Sequence, residues 1–236
     1  GASSGPDLPP FQLDLIRATG HDTHALADYR RCAALGIRTV RDGLRWHRIE
    51  AEPGRYDWSS WLPMVEAAEE AGVGVIWDLH HYGAPDFHDL ASDGFAPAFA
   101  NFAAEAVRVH KAATGRAPDL CASNEISFFA WGIGNGYFPM PTRLSAAAAK
   151  RQLVRAAIAG TKAAREADPA CRFICSEPLI HVAPRTYHKR ERERAAGYSQ
   201  AQYEAVDMLT GRAEPELGGS PDLVDLIGLN FYPHNQ

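Results

Sequence analysis

The sequence predicts an α/β fold with a parallel sheet, closed as a (β/α)8 TIM barrel, on three observations. Five near-continuous apolar runs recur along the chain, as expected for strands buried on both faces. Segments with a helical spacing of apolar residues separate the runs, which indicates parallel strands joined by helical crossovers. Polar residues follow each run and no glycine-rich phosphate turn follows the first, which favours a barrel over a doubly wound sheet.

The predicted strands are short segments that each end in a polar cluster. They are residues 36–44, 72–81, 118–125, 172–178 and 223–232. Apolar residues at helical spacing predict the intervening helices within 26–33, 61–68, 95–109 and 153–164. Gly36, Gly72 and Pro169 are typical helix stops before the strands that follow. The charge-rich segment 187–204 predicts a solvated helix, because glutamates alternate with its basic residues.

Composition excludes several classes of partner. The 236 residues carry a net charge of −5, and this acidic balance argues against a nucleic-acid or membrane-surface partner. No apolar run approaches the ~18 residues of a membrane span, and the 46% hydrophobic content is sufficient for a full core. The four irregularly spaced cysteines, Cys32, Cys121, Cys171 and Cys175, predict reduced thiols in a cytoplasmic protein. The oligomeric state is left open.

The third predicted strand ends in the first candidate for chemistry, Ser123-Asn124-Glu125. A carboxyl group at the mouth of a barrel is partly desolvated, which suits it to general acid catalysis. Asn124 can donate a hydrogen bond to a substrate hydroxyl while Glu125 meets the leaving oxygen. The dipeptide alone is equally typical of a helix N-cap with a favourable carboxylate in the first turn.

Four motifs in order give this dipeptide a context. The chain has Arg41, Gly43, Trp46 and Arg48 in an R-x-S-x-x-W-x-R pattern, with glycine in the serine position. His-Tyr-Gly-Ala-Pro at 81–85 is similar to H-W-D-x-P, and 225–232 is similar to D-x-x-G-x-N-Y-Y. With Asn-Glu between them, the chain resembles a clan A glycoside hydrolase, closest to the family-one β-glycosidases and their bacterial relatives.

The resemblance implies a retaining glycosidase that acts on a small β-linked gluco- or galacto-type carbohydrate without a metal or other cofactor. It assigns Glu125 as general acid/base and Asn124 as the donor to the sugar 2-hydroxyl. It places His81 on a hydroxyl of the non-reducing sugar. Arg41 and Tyr232 would hold the nucleophilic carboxylate.

Three further residues are expected to bind the substrate. Asn230 belongs to the matched motif of the last strand, and Trp131 follows the acid/base strand closely enough to stack on a sugar ring. A sugar contact is implied for Glu177 at the end of the fourth run. Each of them is placed by the resemblance and by its position along the chain.

Alternative structural roles stay open for several of these side chains. Arg41 could pair with Asp42 or Asp78 in the barrel wall, and Tyr232 could be a core aromatic. His80 beside His81 points to the opposite face of a strand, so either histidine could be structural. Glu177 could be a buried carboxylate paired with an arginine. Of the tryptophans, Trp46 and Trp77 are expected to pack in the core.

The second carboxyl group of a glycosidase is expected beyond Gln236, because the family nucleophile follows the seventh strand. Only strands two to six are recognisable, and residues 1–20 contain no apolar run. We therefore expect a single barrel domain over 1–236 that belongs to a longer chain. An unusual small enzyme that uses Glu177 as its second carboxylate is the disfavoured alternative.

Two other functions are compatible with the sequence. A non-catalytic sugar-binding barrel would tolerate Gly43 in the motif. A metal-dependent sugar isomerase or hydrolase is suggested by Asp78, His80, His81 and His88. Adjacent histidines on a strand diverge, and no H-x-H or H-x-x-x-H pair is found in the predicted strands, which disfavours the metal enzyme.

Overall fold

A five-stranded parallel sheet organises the computed structural model, which describes residues 14–233. Its strands, in chain order and in spatial order, are β1 (Thr39–Gly43), β2 (Gly74–Asp78), β3 (Asp119–Cys121), β4 (Arg172–Leu179) and β5 (Leu226–Phe231). All five predicted strands are confirmed, and they form a curled half-barrel in which β1 and β5 are the edges. A small antiparallel hairpin, Glu50–Glu52 with Arg55–Tyr56, lies apart from this sheet.

Helices separate the sheet strands as the sequence predicts. The helices of residues 14–233 are α1 (Leu15–Thr19), α2 (His21–Ala34), α3 (Trp46–Ile49), α4 (Leu62–Ala71), α5 (Phe95–Thr114), α6 (Ile126–Gly134), α7 (Ala146–Ala167), α8 (Lys189–Gln200) and α9 (Glu204–Leu209). Short 3-10 turns occupy Trp58–Ser60, Ala201–Tyr203, Pro215–Leu217 and Pro221–Leu223. The expected solvated helix is present as α8, and α1 begins within the stretch that lacks an apolar run.

The two longest helices pack closely against each other. The Ser145 hydroxyl caps α7 by accepting a hydrogen bond from the Ala148 amide, which satisfies a free helical N–H group. Gly160 lies where α7 meets Phe99 of α5, and a Cβ at this position would come within 2.6 Å of the Phe99 ring. The close packing therefore needs glycine, although glycine weakens a helix interior.

The register of the strands brings their polar ends to one rim. Gly43 pairs with Asp78, and Asp78 pairs with Cys121, so the carboxyl ends of β1 to β3 are level. Backbone pairing continues past the strand ends, where the Asn124 amide donates to the His80 carbonyl at 2.9 Å and the Glu125 amide to the Ser176 carbonyl at 2.9 Å. This continued pairing fixes the polar segments that follow the strands.

The edge strand β5 carries apolar side chains that are exposed on both faces. They are Leu226, Ile227, Leu229 and Phe231. β5 is hydrogen-bonded to β4 along its length, from Leu226 opposite Ile174 to Phe231 opposite Leu179. Ile227, Leu229 and Phe231 share one apolar face of β5, whereas Leu226 shares the other with Gly228 and Asn230.

The four cysteines are free, as the sequence predicts. Cys121, Cys171 and Cys175 are buried and Cys32 is partly buried. Burial raises the pKa of the Cys171 thiol to about 12, which disfavours its reactive thiolate form. None of the helices in residues 14–233 has the length and apolar character that a membrane crossing requires.

An ion-pair cluster attaches α2 to the outer side of β1. His21 bridges two carboxylates, with Nε2 at 2.7 Å from Asp42 and Nδ1 at 2.9 Å from Asp28. Tyr29 also donates to Asp42 at 2.7 Å. The hydrogen bond to Asp42 is the main cause that raises the pKa of His21 to about 9. The imidazolium is therefore the form present at neutral pH.

We predict that His21→Gln lowers the thermal unfolding temperature at pH 6 and much less at pH 10. The folded-state pKa of about 9 lies above the ordinary value of 6.5, so the stabilisation is complete below pH 6.5 and is lost as the pH rises through 9. Solvent screening of this partly exposed group limits the effect to about 1 kcal/mol. His24→Gln, at an exposed position of the same helix, is the control. A destabilisation equal at both pH values would contradict the prediction.

Candidate functional site

A cavity of about 1940 Å³ opens at the carboxyl ends of the strands. Seven of the eight predicted site residues line it, namely Arg41, His81, Asn124, Glu125, Trp131, Asn230 and Tyr232. Glu177 lies outside this lining. The cavity has a polar floor from the strand ends and an aromatic wall from α6 and the segment that follows it. Such a combination is typical of a small-molecule site.

Arg41 lies at the centre of the polar floor. Its Nε and Nη2 atoms donate to the two carboxylate oxygens of Asp78 at 3.0 and 2.8 Å. Nη1 donates to Asn230 Oδ1 at 2.9 Å, and Nη2 also contacts Asn124 Oδ1. Of the two pairings that the sequence left open, the structure therefore contains the one with Asp78. Arg41 links β1, β2, the end of β3 and β5 through its single guanidinium group.

Asp78 and His81 continue this network beyond β2. The Asp78 side chain is 3% exposed. Its Oδ2 atom also lies within hydrogen-bond distance of His81 Nδ1, at 3.0 Å. His81 Nε2 lies 3.3 Å from Asn124 Nδ2. Both contacts are satisfied when Nδ1 carries the proton, since Nε2 then accepts from the amide. His81 is half exposed, so its ring remains accessible from the cavity.

The Glu125 carboxylate accepts a hydrogen bond on each oxygen. Asn230 Nδ2 donates to Oε1 at 2.9 Å, and the Tyr82 hydroxyl donates to Oε2 at 2.6 Å. Asn124 Nδ2 in turn donates to the Tyr82 oxygen at 2.8 Å. Burial is the main cause that raises the pKa of Tyr82, with the charge of Glu125 adding to it. The Tyr82 hydroxyl therefore stays protonated and donates its hydrogen bond to Glu125.

Two non-glycine residues of this floor have a left-handed backbone. Glu125 has φ of 44° and Tyr82 has φ of 66°. This conformation is unfavourable for residues with a Cβ, and such strain clusters at functional sites. Glu125 occupies the N-cap position of α6, but its side chain makes no capping hydrogen bond and the first turn of α6 contains no acidic residue. The alternative interpretation of the Asn-Glu dipeptide, a cap with a favourable first-turn carboxylate, is therefore wrong in its contacts. Glu125 both occupies the N-cap position of α6 and lines the cavity.

Glu177 is buried between β4 and α6. Its side chain accepts from the Ser127 amide, at 3.0 Å through Oε2 and 3.4 Å through Oε1. Burial raises its pKa to about 7, and the charge of Glu125 contributes to this increase. The structure thus places Glu177 on a backbone amide, where the sequence predicted either a sugar contact or an arginine partner.

Stacked aromatic rings form one wall of the cavity. Trp131 stacks on Tyr137 with centroids 5.1 Å apart and on Phe128 at 5.9 Å. Trp46 and Trp77 are fully buried in the core, as the sequence predicts. Of the tryptophans that the sequence analysis weighed, Trp131 alone is in the lining, which is compatible with its predicted stacking role. Tyr232, at the opposite edge of the sheet, is half exposed and also faces the cavity.

The histidines that suggested a metal enzyme have separate environments. His80 is buried, with Nδ1 at 2.9 Å from Ser123 Oγ, and burial lowers its pKa to about 3. His88 lies 3.2 Å from Glu50, whereas His81 contacts Asp78. Residues 14–233 bring no group of three or more His, Cys, Asp or Glu side chains into a metal-binding arrangement.

The sequence patterns assign no site role to Tyr82, which follows β2, or to Asp78, which is the last residue of β2. Tyr82 stands at the tryptophan position of the motif that 81–85 resembles, and its hydroxyl is a donor that the sequence left without an assigned partner. Asp78 was considered only as a partner of Arg41 and as a metal ligand. Its position opposite Cys121 and Gly43 in the register makes it part of the floor.

Comparison with known proteins shows which fold this is. No family model matches the chain, and no curated protein matches its sequence. A β-glucosidase from Thermotoga maritima, solved with glucoimidazole, matches at a TM-score of 0.75 and 18% identity, over 90% of this chain and 54% of that chain. The AHE enzyme from Alicyclobacillus herbarius matches at a TM-score of 0.71 and 20% identity, over 90% and 55%.

A third solved relative is the virulence factor SghA from Agrobacterium tumefaciens, with a TM-score of 0.70 and 20% identity over 90% of this chain and 53% of that chain. The structural neighbours are thus family 1 β-glucosidases and related proteins, and the fold that the resemblance implied is confirmed. The chain spans about half the length of these solved structures. At this identity the likeness establishes the fold, and the activity is a separate question.

We predict that the Glu177→Gln substitution raises the free energy of unfolding more at pH 8 than at pH 5. The folded-state pKa of about 7 lies above the ordinary 4.5, so the wild type loses stability between pH 4.5 and 7, where the unfolded chain releases this proton and the folded protein keeps it. Glutamine has no charge to bury, and the difference in unfolding free energy should grow by up to roughly 3 kcal/mol between these pH values. Urea unfolding at both pH values measures it. A difference independent of pH would refute this prediction.

Proposed function

We propose that this chain is the acid/base-bearing part of a retaining glycoside hydrolase for β-linked gluco- or galacto-type glycosides. The observation that carries the proposal is the Glu125 carboxylate, which lines a large cavity and is held by Tyr82 and Asn230. The fold shared with β-glucosidases supports it. The substrate is a small carbohydrate, and the proposal requires no cofactor, nucleic acid or membrane. A cytoplasmic location remains a prediction from composition and cysteine content.

In the proposed reaction Glu125 transfers its proton to the departing glycosidic oxygen as the C–O bond breaks. A second carboxylate bonds to the anomeric carbon, and Glu125 then removes a proton from the water that cleaves this ester. Asn124 and His81 at the cavity floor donate to or accept from sugar hydroxyls. The second carboxyl group is expected beyond Gln236, and no described residue is assigned to that role.

Both oxygens of Glu125 accept a hydrogen bond from a neutral donor, Asn230 on one oxygen and Tyr82 on the other. In the acid step one oxygen carries a proton and faces the leaving oxygen of the substrate. Substrate binding must then displace either Asn230 or Tyr82 from Glu125. Asn230 Nδ2 also donates to Asn124 Oδ1 at 3.1 Å, so the Asn230 side-chain amide keeps a hydrogen-bond partner when it is displaced from Glu125.

The proposed contacts of Arg41 and Tyr232 with a nucleophilic carboxylate involve a rearrangement for Arg41. Asp78 already occupies two of its donors, and two asparagine oxygens occupy others. A second carboxylate would share the Nη1 side, where Asn230 now accepts. Tyr232 is half exposed beside it in the lining.

Sugar binding without hydrolysis is the second candidate function, and the pairing of Arg41 with Asp78 is the observation that favours it. An arginine neutralised by a buried aspartate attracts a further carboxylate less strongly than a free one. Gly43 in the serine position of the motif is also compatible with it. Calorimetric binding of a β-glycoside that is never hydrolysed by the full-length protein would favour this function over the hydrolase.

We predict that Glu125→Gln reduces turnover of an alkyl β-glucoside by about 100-fold or more, because the poor leaving group needs the proton. The folding transition should stay within the range of the wild type. Glu66→Gln, at an exposed position of α4, is the matched control and should keep its activity. Release of glucose from the substrate is the measurement. Unchanged turnover in Glu125→Gln would remove the hydrolase proposal.

We predict that Tyr82→Phe lowers kcat by about tenfold, the equivalent of one lost hydrogen bond to a charged group. The ring and its packing against Phe129 and Phe138 are kept, and KM should change little. Steady-state kinetics on the same substrate measure both constants. Tyr187→Phe, which alters an almost fully exposed ring, is the control. A variant with wild-type kcat would show that this hydroxyl does not support Glu125.

A further inference from the structure

Glu177 has an unusual environment for a residue with a carboxyl group. It is 4% exposed, and it lies outside the cavity lining. Both of its carboxylate oxygens are directed at the Ser127 amide of α6. A buried carboxyl group is costly to desolvate unless hydrogen bonds compensate it. The hydrogen bonds of Glu177 thus go to Ser127 and Ile126, the first residues of α6 after the proposed acid/base residue.

Consecutive residues of β4 hold the Glu125 segment on both sides. The Ser176 carbonyl accepts from the Glu125 amide at 2.9 Å. The Glu177 side chain accepts from the Ser127 amide, two residues further along. Glu125 therefore lies between two hydrogen bonds that both come from one rigid strand. Displacement of the strand end by a fraction of an ångström would move the carboxylate that these bonds bracket.

The backbone of Glu125 needs such support. Its φ of 44° lies in the left-handed region, which persists in non-glycine residues only when the surroundings hold it. α6 begins directly after it, and the first amides of a helix have no partner within the helix. Glu177 satisfies one of these amides from outside. The Glu125 side chain does not cap α6; it accepts hydrogen bonds from Tyr82 and Asn230 instead.

We propose that Glu177 is a positioning residue, which fixes Glu125 at the cavity floor through the Ser127 amide and does not contact the sugar. The catalytic part of this inference rests on the proposed function of Glu125. The contact between Glu177 and the Ser127 amide does not depend on activity. Three ionisable side chains interact with Glu177: Glu125 from the turn before α6, Tyr82 from the segment after β2 and Cys175 from β4.

The electrostatics of Glu177 provide a direct way to observe this contact. Its pKa of about 7 means that the acceptor of the Ser127 amide changes charge near neutral pH. Tyr82 and Cys175 have raised pKa values, so they remain protonated over this range. An amide proton is sensitive to the charge of its acceptor. Ser127 should therefore report the titration of Glu177.

The test compares backbone amide signals of residues 124–128 in the ¹⁵N-labelled full chain between pH 5.5 and 8.5. In the wild type, the Ser127 amide should shift with a midpoint near 7. In Glu177→Gln, which keeps an acceptor oxygen and loses the charge, this titration should disappear. In Glu177→Leu, the amides of Glu125 and Ser127 should move at every pH, and Ser127 should lose protection from hydrogen exchange.

Glu50→Gln is the matched control, because Glu50 is equally buried and also accepts a backbone amide, that of Gly54 at 2.8 Å. It should leave the signals of residues 124–128 unchanged. A Ser127 amide that still titrates in Glu177→Gln would overturn the proposal. So would wild-type amide signals in Glu177→Leu. If Glu177→Leu does not fold, the isosteric glutamine variant still decides the question.

Kinetics of the full-length protein on 4-nitrophenyl β-glucoside separate positioning from a sugar contact. Positioning predicts that Glu177→Leu lowers kcat by about tenfold or more while KM stays within about twofold, with kcat largely restored in Glu177→Gln. A KM that rises in both variants at unchanged kcat would overturn the proposal in favour of a sugar contact. A wild type that hydrolyses no glycoside would refute the proposed function alone, since the amide titration still decides the role of Glu177.

Discussion

The partly buried ion pair between Arg41 and Asp78 is the interaction on which the site depends. Two parallel strands meet at it, and the same guanidinium group reaches Asn124 beyond the end of β3 and Asn230 within β5. A buried ion pair contributes little net stability, because desolvation offsets much of its attraction. Its effect here is geometric. Of the two asparagines that contact Arg41, Asn230 donates to the Glu125 carboxylate, and Asn124 donates to the Tyr82 hydroxyl that in turn donates to Glu125. The sheet and the site thus share one hydrogen-bond network.

Two glutamates of this site have different surroundings and therefore different chemistry. Glu125 faces the cavity and accepts from a hydroxyl and an amide, whereas Glu177 is enclosed and has a raised pKa. Separating carboxyl groups by environment is how one fold supports distinct acid and base roles. In this protein the enclosed group contacts the backbone that carries the accessible one, so we assign it to support rather than to chemistry.

The solved β-glucosidases share the half-barrel, and this chain departs from the family pattern at individual residues. Tyr82 stands where the family motif has tryptophan, and Gly43 stands where it has serine. Tyr82 now donates to Glu125, while Gly43 has only the Asp78 side chain near the place of a Cβ. Function resides in such sites rather than in the fold. The role of this site therefore rests on the contacts of Tyr82 and Glu125 in this chain.

The sequence by itself determined the architecture and most members of the site. Strand runs, helical spacing and polar strand ends are local patterns, and parallel strands necessarily bring their carboxyl ends together, so Glu125, Asn124 and Arg41 could be placed at one rim. Only the tertiary structure decided which partner each side chain chose. Arg41 paired with Asp78 rather than Asp42, Glu177 turned to the Ser127 amide, and Tyr82 reached Glu125. These choices depend on register, helix placement and a left-handed backbone, which arise from contacts between segments distant in sequence.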